Sequence, residues 1–145
     1  MDKHQSIISK NSQETTALGE RVATTLRTNI CCLYGDLGSG KTTFTQGFAK
    51  GLGITTRLLS PTFIIVRRYS MPEKTNFLYH IDLYRLQSEK ELEDVGISEI
   101  LNQDHSYVVI EWAERLGSLL PKDRIDVNFF VLEDGKHSIT ICKTS

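Results

Sequence analysis

The chain has 145 residues, with 17 Lys and Arg against 18 Asp and Glu, for a formal net charge of −1. That balance excludes a polybasic nucleic-acid binder, whose affinity rests on many phosphate contacts. An apolar fraction of 39% and a charged fraction of 24% are those of a globular protein. A chain of this size buries roughly 68–70% of its unfolded surface, so one domain over residues 1–145 is expected to fold without disulfide or metal staples.

The three cysteines, Cys31, Cys32 and Cys142, are odd in number and two are adjacent. They make a poor disulfide framework and read as free thiols of a reducing compartment, the cytoplasm. His4, His80, His105 and His137 do not fall at zinc-ligand spacing. Met1 to Lys10 has no apolar core, so no signal peptide is expected. No apolar run approaches the ~18 residues of a membrane span, and no membrane partner is expected.

Along the chain, Asn11 or Ser12 is the expected N-cap of a first helix, with Glu14 in its first turn. Leu18, Val22 and Leu26 recur four apart, which predicts an amphipathic helix that ends at Asn29. Ile30 to Tyr34 is almost wholly apolar, the pattern of a strand covered on both faces. A glycine-rich stretch follows, Gly35 to Gly40. Phe44, Phe48 and Leu52 then mark a second helix, closed by Gly51 and Gly53.

Phe63 to Tyr69 and Asn76 to Asp82 read as strands, and in the latter Leu78, His80 and Asp82 share one face. Glu91 to Leu101 predicts one helix. Tyr107 to Ile110 is a further apolar strand that stops at Glu111-Trp112. Ile125, Val127, Phe129 and Val131 alternate, as do Ile139 and Ile141. Asp134-Gly135 between them predicts a hairpin with a two-residue type I′ loop. The fold class expected is α/β, a P-loop NTPase-like three-layer domain. Its mixed β-sheet is flanked by helices and closed by an antiparallel C-terminal hairpin.

Gly35-Asp36-Leu37-Gly38-Ser39-Gly40-Lys41-Thr42 satisfies G-x-x-x-x-G-K-[ST] in full. A strand precedes it and a helix follows it, the context that separates a P-loop from a chance glycine turn. Consecutive backbone amides offer pre-organised donors to phosphate oxygens, and the glycines let the chain wrap closely. The helix N-terminus adds a favourable dipole. Lys41 brings positive charge to the β- and γ-phosphates, and the Thr42 hydroxyl is a ligand for Mg²⁺.

A P-loop needs a further acid for the metal, at the end of a neighbouring apolar strand. Glu111 and Asp82 both qualify. The run before Glu111 is the more uniformly apolar, which favours Glu111 as the metal ligand. Asp82 is then free to orient or deprotonate the attacking water, acting mainly by position unless burial raises its reference pKa of ~3.9. The bland alternatives are two acids capping strand ends and an Asp82–Arg85 ion pair. Ser60-Pro61-Thr62 is either a simple turn or a switch that meets the γ-phosphate or Mg²⁺. No N-K-x-D run is present, which favours ATP over GTP.

Four strings, Gly35-Asp-Leu-Gly-Ser-Gly-Lys-Thr-Thr-Phe44, Ser60-Pro-Thr-Phe63, His80-Ile-Asp-Leu-Tyr-Arg-Leu86 and Val109-Ile-Glu-Trp112, occur in this order. Together they resemble the TsaE family, the small ATPases of bacterial tRNA threonylcarbamoyladenosine biosynthesis. Glu91-Leu-Glu-Asp-Val-Gly-Ile97 and Glu14-Thr-Thr-Ala-Leu-Gly19 are similar to that family too, so the likeness covers roughly residues 12 to 132. It implies a role in threonylcarbamoylation of adenosine 37 in tRNAs that read codons beginning with A. ATP hydrolysis would permit turnover by a separate TsaD–TsaB transferase pair, with tRNA contacted indirectly.

By position, the resemblance implies that residues Gly35, Asp36, Leu37, Gly38, Ser39, Gly40, Lys41, Thr42 and Thr43 hold ATP. Thr42 and Glu111 would hold Mg²⁺, and Asp82 with Lys41 would serve hydrolysis. Thr15 would lie near the base, Thr62 in the switch loop, and Trp112 beside the nucleotide. Two other readings stand beside this one, a P-loop small-molecule kinase and a non-catalytic ATP-binding module. The acidic stretch Glu89, Glu91, Glu93 and Asp94 is either a solvated helix face or a dock for a basic partner. Arg67-Arg68 either touches phosphate or protects an edge strand.

Overall fold

The computed structural model describes residues 4–58, 65–72 and 76–144. In chain order the elements are β1 (His4–Ser9), α1 (Ser12–Thr25), β2 (Ile30–Tyr34), α2 (Lys41–Gly51), β3 (Val66–Ser70) and β4 (Phe77–Asp82). There follow α3 (Glu89–Asp94), α4 (Ile97–Leu101), β5 (Tyr107–Glu111), a 3₁₀ stretch (Ala113–Leu119), β6 (Arg124–Val131) and β7 (His137–Thr144). The strands form a seven-stranded sheet in the order β1-β7-β6-β2-β5-β4-β3. Strand β2 runs parallel to both β5 and β6, and β4 runs parallel to β5. The hairpins β3–β4 and β6–β7 are antiparallel, and β1 joins antiparallel to β7.

The alternation of side chains explains the layers. Cys31, Leu33, Leu78, Val109, Val127 and Phe129 face α1 and α2, packing on Leu18, Val22, Phe44 and Phe48. Ile30, Cys32, Ile81, Val108 and Ile110 face the other way, onto Leu92 and Ile97 of α3 and α4 and Leu116 of the 3₁₀ stretch. A strand with helices on both faces must be apolar throughout, which is why β2 and β5 read as continuous apolar runs. Burial holds both central thiols neutral, pushing Cys32 up to about 12 and Cys31 well above its ordinary value. Among the described residues no disulfide joins the cysteines.

Helix α1 begins as its sequence predicts, with the Asn11 side chain accepting from the Glu14 amide at 2.9 Å. It closes at Thr25, with Leu26 as its C-cap. Helices α1 and α2 lie unusually close. A Cβ added at Gly19 would fall 2.2 Å from the Phe44 carbonyl oxygen, and one at Gly47 only 2.0 Å from that of Thr16. Backbone touches backbone here, so a side chain on either residue would force the pair apart.

Two further expectations are corrected. The segment over Glu91 to Leu101 is two short helices, not one. Gly96 takes the left-handed conformation at φ 73° and ends α3 before α4 starts. The C-terminal loop is longer than two residues. Leu132 and Lys136 still pair, and Gly135 at φ 85° donates to Leu132 O at 2.9 Å. This is the three-residue connection with glycine in the left-handed position. The segment ahead of α1, read only for targeting signals, is the edge strand β1. Phe63 to Tyr69 was expected as a strand. Its described part begins at Val66, while Phe63 and the Ser60-Pro61-Thr62 string lie outside the described residues. Arg67 and Arg68 do sit on an edge strand, β3, where the Arg68 guanidinium lies 4.2 Å from the centre of the Phe77 ring.

Candidate functional site

Because β2, β4, β5 and β6 are mutually parallel, their carboxyl ends meet at one edge of the sheet, where ligands of open α/β sheets bind. Each strand delivers something there. Strand β2 ends in the loop Gly35 to Gly40, which turns directly into α2. Gly35, Gly38 and Gly40 all have positive φ (148°, 76° and 109°), so the loop takes a path closed to other residues. A Cβ at Gly35 would also meet the Phe129 carbonyl oxygen at 2.8 Å. Ser39 is buried, and its Oγ has no hydrogen-bond partner. Asp36, Leu37 and Gly38 are exposed at the loop tip.

Lys41 opens α2 and is only 4% exposed. Its ammonium donates to the carbonyls of Gly35 and Asp36, the latter at 2.8 Å, and lies 4.5 Å from the centre of the Trp112 ring. Burial lowers its pKa, opposed first by the charge of Glu111 and then by that of Asp82. Thr42, one residue on, places Oγ1 3.3 Å from Glu111 Oε1, to which it donates.

Glu111 ends β5 and is 3% exposed. Its other oxygen, Oε2, lies 2.6 Å from His80 Nε2. His80 is itself buried, and its Nδ1 has no hydrogen-bond partner. The pairing therefore fits an imidazole protonated at Nε2 and bare at Nδ1, since a proton on Nδ1 would be buried with nothing to accept it. The carboxylate is thus divided, with one oxygen oriented by His80 and the other turned to Thr42. Hard oxygen donors of this kind, a hydroxyl and a carboxylate, suit Mg²⁺.

Asp82 ends β4 in direct register with Glu111 on β5. Its Oδ1 accepts from the Tyr84 amide at 3.0 Å. Burial raises its pKa, with the charge of Glu111 adding to the effect and the Tyr84 amide opposing it. Among the described residues no ion pair joins it to Arg85. Lys41, Thr42, Thr43, Asp82, Glu111 and Trp112 line one cavity of about 340 Å³, with Leu37, Gly38, Gly40, Tyr84 and His137.

Trp112 is a non-glycine residue at φ 60°, a left-handed conformation that bulky side chains rarely adopt. The twist brings its ring to 5.1 Å from that of Tyr84. Arg115 braces both, donating to the Tyr84 carbonyl, with its guanidinium 5.5 Å from the Trp112 ring centre. Thr15 lies in a neighbouring cavity of about 260 Å³ with Ser9, Asn11, Thr43 and His137. It is 2% exposed and shares a 2.6 Å hydrogen bond with Ser9 Oγ.

Of the residues that the sequence singled out, Leu37, Gly38, Gly40, Lys41, Thr42, Thr43, Asp82, Glu111 and Trp112 line one cavity and Thr15 its neighbour, while Thr62 falls outside the described residues. The acidic residues Glu89, Glu93 and Asp94 of α3 are exposed, on a helix anchored by Leu92. Sequence reasoning assigned no role to His80, Tyr84 or His137. A signal for the two histidines existed in the period-two pattern. His80 shares a strand face with Asp82, and His137 shares one with Ile139 and Ile141.

A mixed sheet in this order, with a glycine loop of P-loop sequence between β2 and α2 and acids at the ends of two neighbouring strands, defines a P-loop NTPase-like α/β protein. The family profile described as "Threonylcarbamoyl adenosine biosynthesis protein TsaE" matches residues 9–139. The chain belongs to the TsaE family. It is 38% identical over 131 residues to the tRNA threonylcarbamoyladenosine biosynthesis protein TsaE of Bacillus subtilis, covering 90% of this chain and 80% of that one. It is 41% identical over 113 residues to the protein of the same name from Haemophilus influenzae, covering 78% and 70%. The counterpart from Treponema pallidum is 37% identical over 135 residues, covering 92% and 97%. The crystal structure of Bacillus subtilis YdiB superposes with a TM-score of 0.81 at 32% identity, covering 100% of this chain and 88% of that one.

Proposed function

We propose that this chain is a Mg²⁺-dependent, ATP-hydrolysing subunit required for threonylcarbamoylation of adenosine 37 in tRNAs that read codons beginning with A. It acts in the cytoplasm as one P-loop ATPase domain over residues 1–145. Its partners are the TsaD–TsaB transferase pair, whose repeated turnover hydrolysis permits, and tRNA is contacted indirectly. Family membership supports the pathway. The observation that carries the chemistry is the convergence of Lys41, Thr42, Asp82 and Glu111 on one cavity beside a glycine loop.

The geometry supports the following roles. The loop amides and the α2 N-terminus receive phosphate oxygens. Lys41, held on the loop carbonyls, exchanges those partners for phosphate, a stronger charge-assisted contact. Thr42 and Glu111 would hold Mg²⁺, which neutralises charge on the β- and γ-phosphates when bound. Asp82 orients the attacking water and takes its proton, while the new bond forms to the γ-phosphorus and the bond to the ADP oxygen breaks. Burial that raises its pKa makes it a better base than an exposed aspartate. Trp112 and Tyr84 wall the cavity, Thr15 and Thr43 serve the nucleoside side, and Thr62 belongs to the switch-like loop.

The test is ATP hydrolysis by the purified chain, alone and with TsaD–TsaB, together with direct analysis of the modified nucleoside. Slow hydrolysis alone and faster hydrolysis with the pair are expected. Lys41→Ala should lose ATP binding, while Asp82→Ala should bind ATP and neither hydrolyse it nor support modification. A rate and a nucleotide affinity unmoved by the transferase pair would count decisively against the reading.

A further inference from the structure

The two cavities at the carboxyl edge of the sheet are joined. Gly40, Thr43 and His137 line both of them. One cavity carries Lys41, Thr42, Asp82 and Glu111, the charged groups suited to the outer phosphates. The other carries the hydrogen-bonding side chains of Ser9, Asn11 and Thr15, with Lys10 beside them, and is suited to a nucleoside. A ligand that occupies both must cross the junction, and what crosses is the link between phosphate chain and sugar.

His137 stands at that junction. It is the first residue of β7, in register with Val131 and opposite Ser9 of β1. It shares its strand face with the buried Ile139, which packs against the α1 and α2 side of the sheet. Its ring leans on the loop residue just before α2, since a Cβ at Gly40 would lie 3.0 Å from His137 Nδ1 and 3.5 Å from Cε1. That Nδ1 is shielded from solvent and has no hydrogen-bond partner among the described residues. An imidazole nitrogen left without a partner calls for an explanation, and a ligand lodged beside the cradle of amides would supply the missing contact.

We propose that His137 is a nucleotide-contacting residue, its imidazole hydrogen-bonding a ribose oxygen where the ligand passes from one cavity to the other. The proposal rests on the reading of the loop cavity as an ATP site. It gives the C-terminal hairpin a part in distinguishing a nucleoside triphosphate from a bare polyphosphate.

The test compares binding of ATP and of inorganic tripolyphosphate, each with Mg²⁺, by calorimetric titration of the full chain. His137→Ala should weaken ATP about tenfold and leave tripolyphosphate within twofold. His137→Phe, which keeps a ring but no donor, should match the alanine variant. His137→Asn, which restores a donor near the Nδ1 position, should recover most of the loss. Thermal melts establish that each variant folds, and the Phe and Asn pair decides the matter if alanine loosens the hairpin. Unchanged ATP affinity in both Ala and Phe variants, or equal losses toward both ligands, overturns the proposal. Failure of the wild-type chain to bind either ligand is a distinct result that removes the ATP-site reading and this inference with it.

Discussion

Gly47→Ala adds one methyl group at the α1–α2 contact. The new Cβ would sit 2.0 Å from the Thr16 carbonyl oxygen and 2.8 Å from its carbon, both backbone atoms that no rotamer change can move. Reaching even a tight 3.0 Å contact requires the helices to separate by roughly 1 Å along that line. Gly51, one turn on, makes a similar approach to the Glu20 carbonyl oxygen, so the strain cannot be passed down the helix. Overpacking of this kind costs about 3 kcal/mol at the upper end of its usual range. Replacing a mid-helix glycine by alanine returns about 1 kcal/mol through helix propensity. The net loss is about 2 kcal/mol, which in a chain of this length lowers Tm by roughly 4–8 °C. Calorimetry, or circular dichroism at 222 nm, reads it directly, with Gln46→Ala on the exposed side of α2 as a control expected to stay within about 0.5 kcal/mol. Thr16 adjoins Thr15, so nucleotide affinity should fall together with stability. A Gly47→Ala variant as stable as wild type or more so would refute the claim that backbone contact sets this interface.

His80→Ala should weaken Mg²⁺-supported ATP binding by about 10–100-fold, the usual effect of removing a group that orients a metal ligand. Titration in EDTA should show little change, and an equal loss with and without Mg²⁺ would mean that His80 is merely structural. Asp82→Asn should lower the hydrolysis rate by about 10²–10⁴ and raise Tm at neutral pH. Burial holds its carboxyl above the ordinary aspartate range, so the folded protein binds the proton more readily than the unfolded chain. The resulting cost is absent below the unfolded pKa and complete once the pH exceeds the folded one. The stability difference between Asp82→Asn and wild type should therefore shrink as pH falls through the carboxylate range, and a constant difference would argue against desolvation as its cause. Phe44→Ala should destabilise by about 3–5 kcal/mol, measured by urea denaturation, because the ring is fully buried and stands edge-on to Phe129 at 5.6 Å.

Local chemistry wrote much of this protein legibly into its sequence. The apolar run Ile30–Tyr34, the glycines after it and the period of Phe44 and Phe48 announce strand, loop and helix, because burial on two faces, positive φ and a 3.6-residue repeat each demand particular residues. Glu111 and Asp82 were visible as acids ending apolar runs. Less legible were features set by neighbours distant in sequence. Residues His4–Ser9 become a strand because β7 offers an open edge, not because six mostly polar residues prefer one. The division of Glu111 between Thr42 and His80 depends on α2, β4 and β5 meeting at one edge of the sheet. The left-handed Trp112 and the place of His137 between two cavities likewise arise from packing across the sheet. Local residue choice thus determined the elements and the phosphate loop. Only the parallel register of the strands decided which side chains share the cavity and which hydrogen bonds orient them, since those contacts join residues that covalent order keeps far apart.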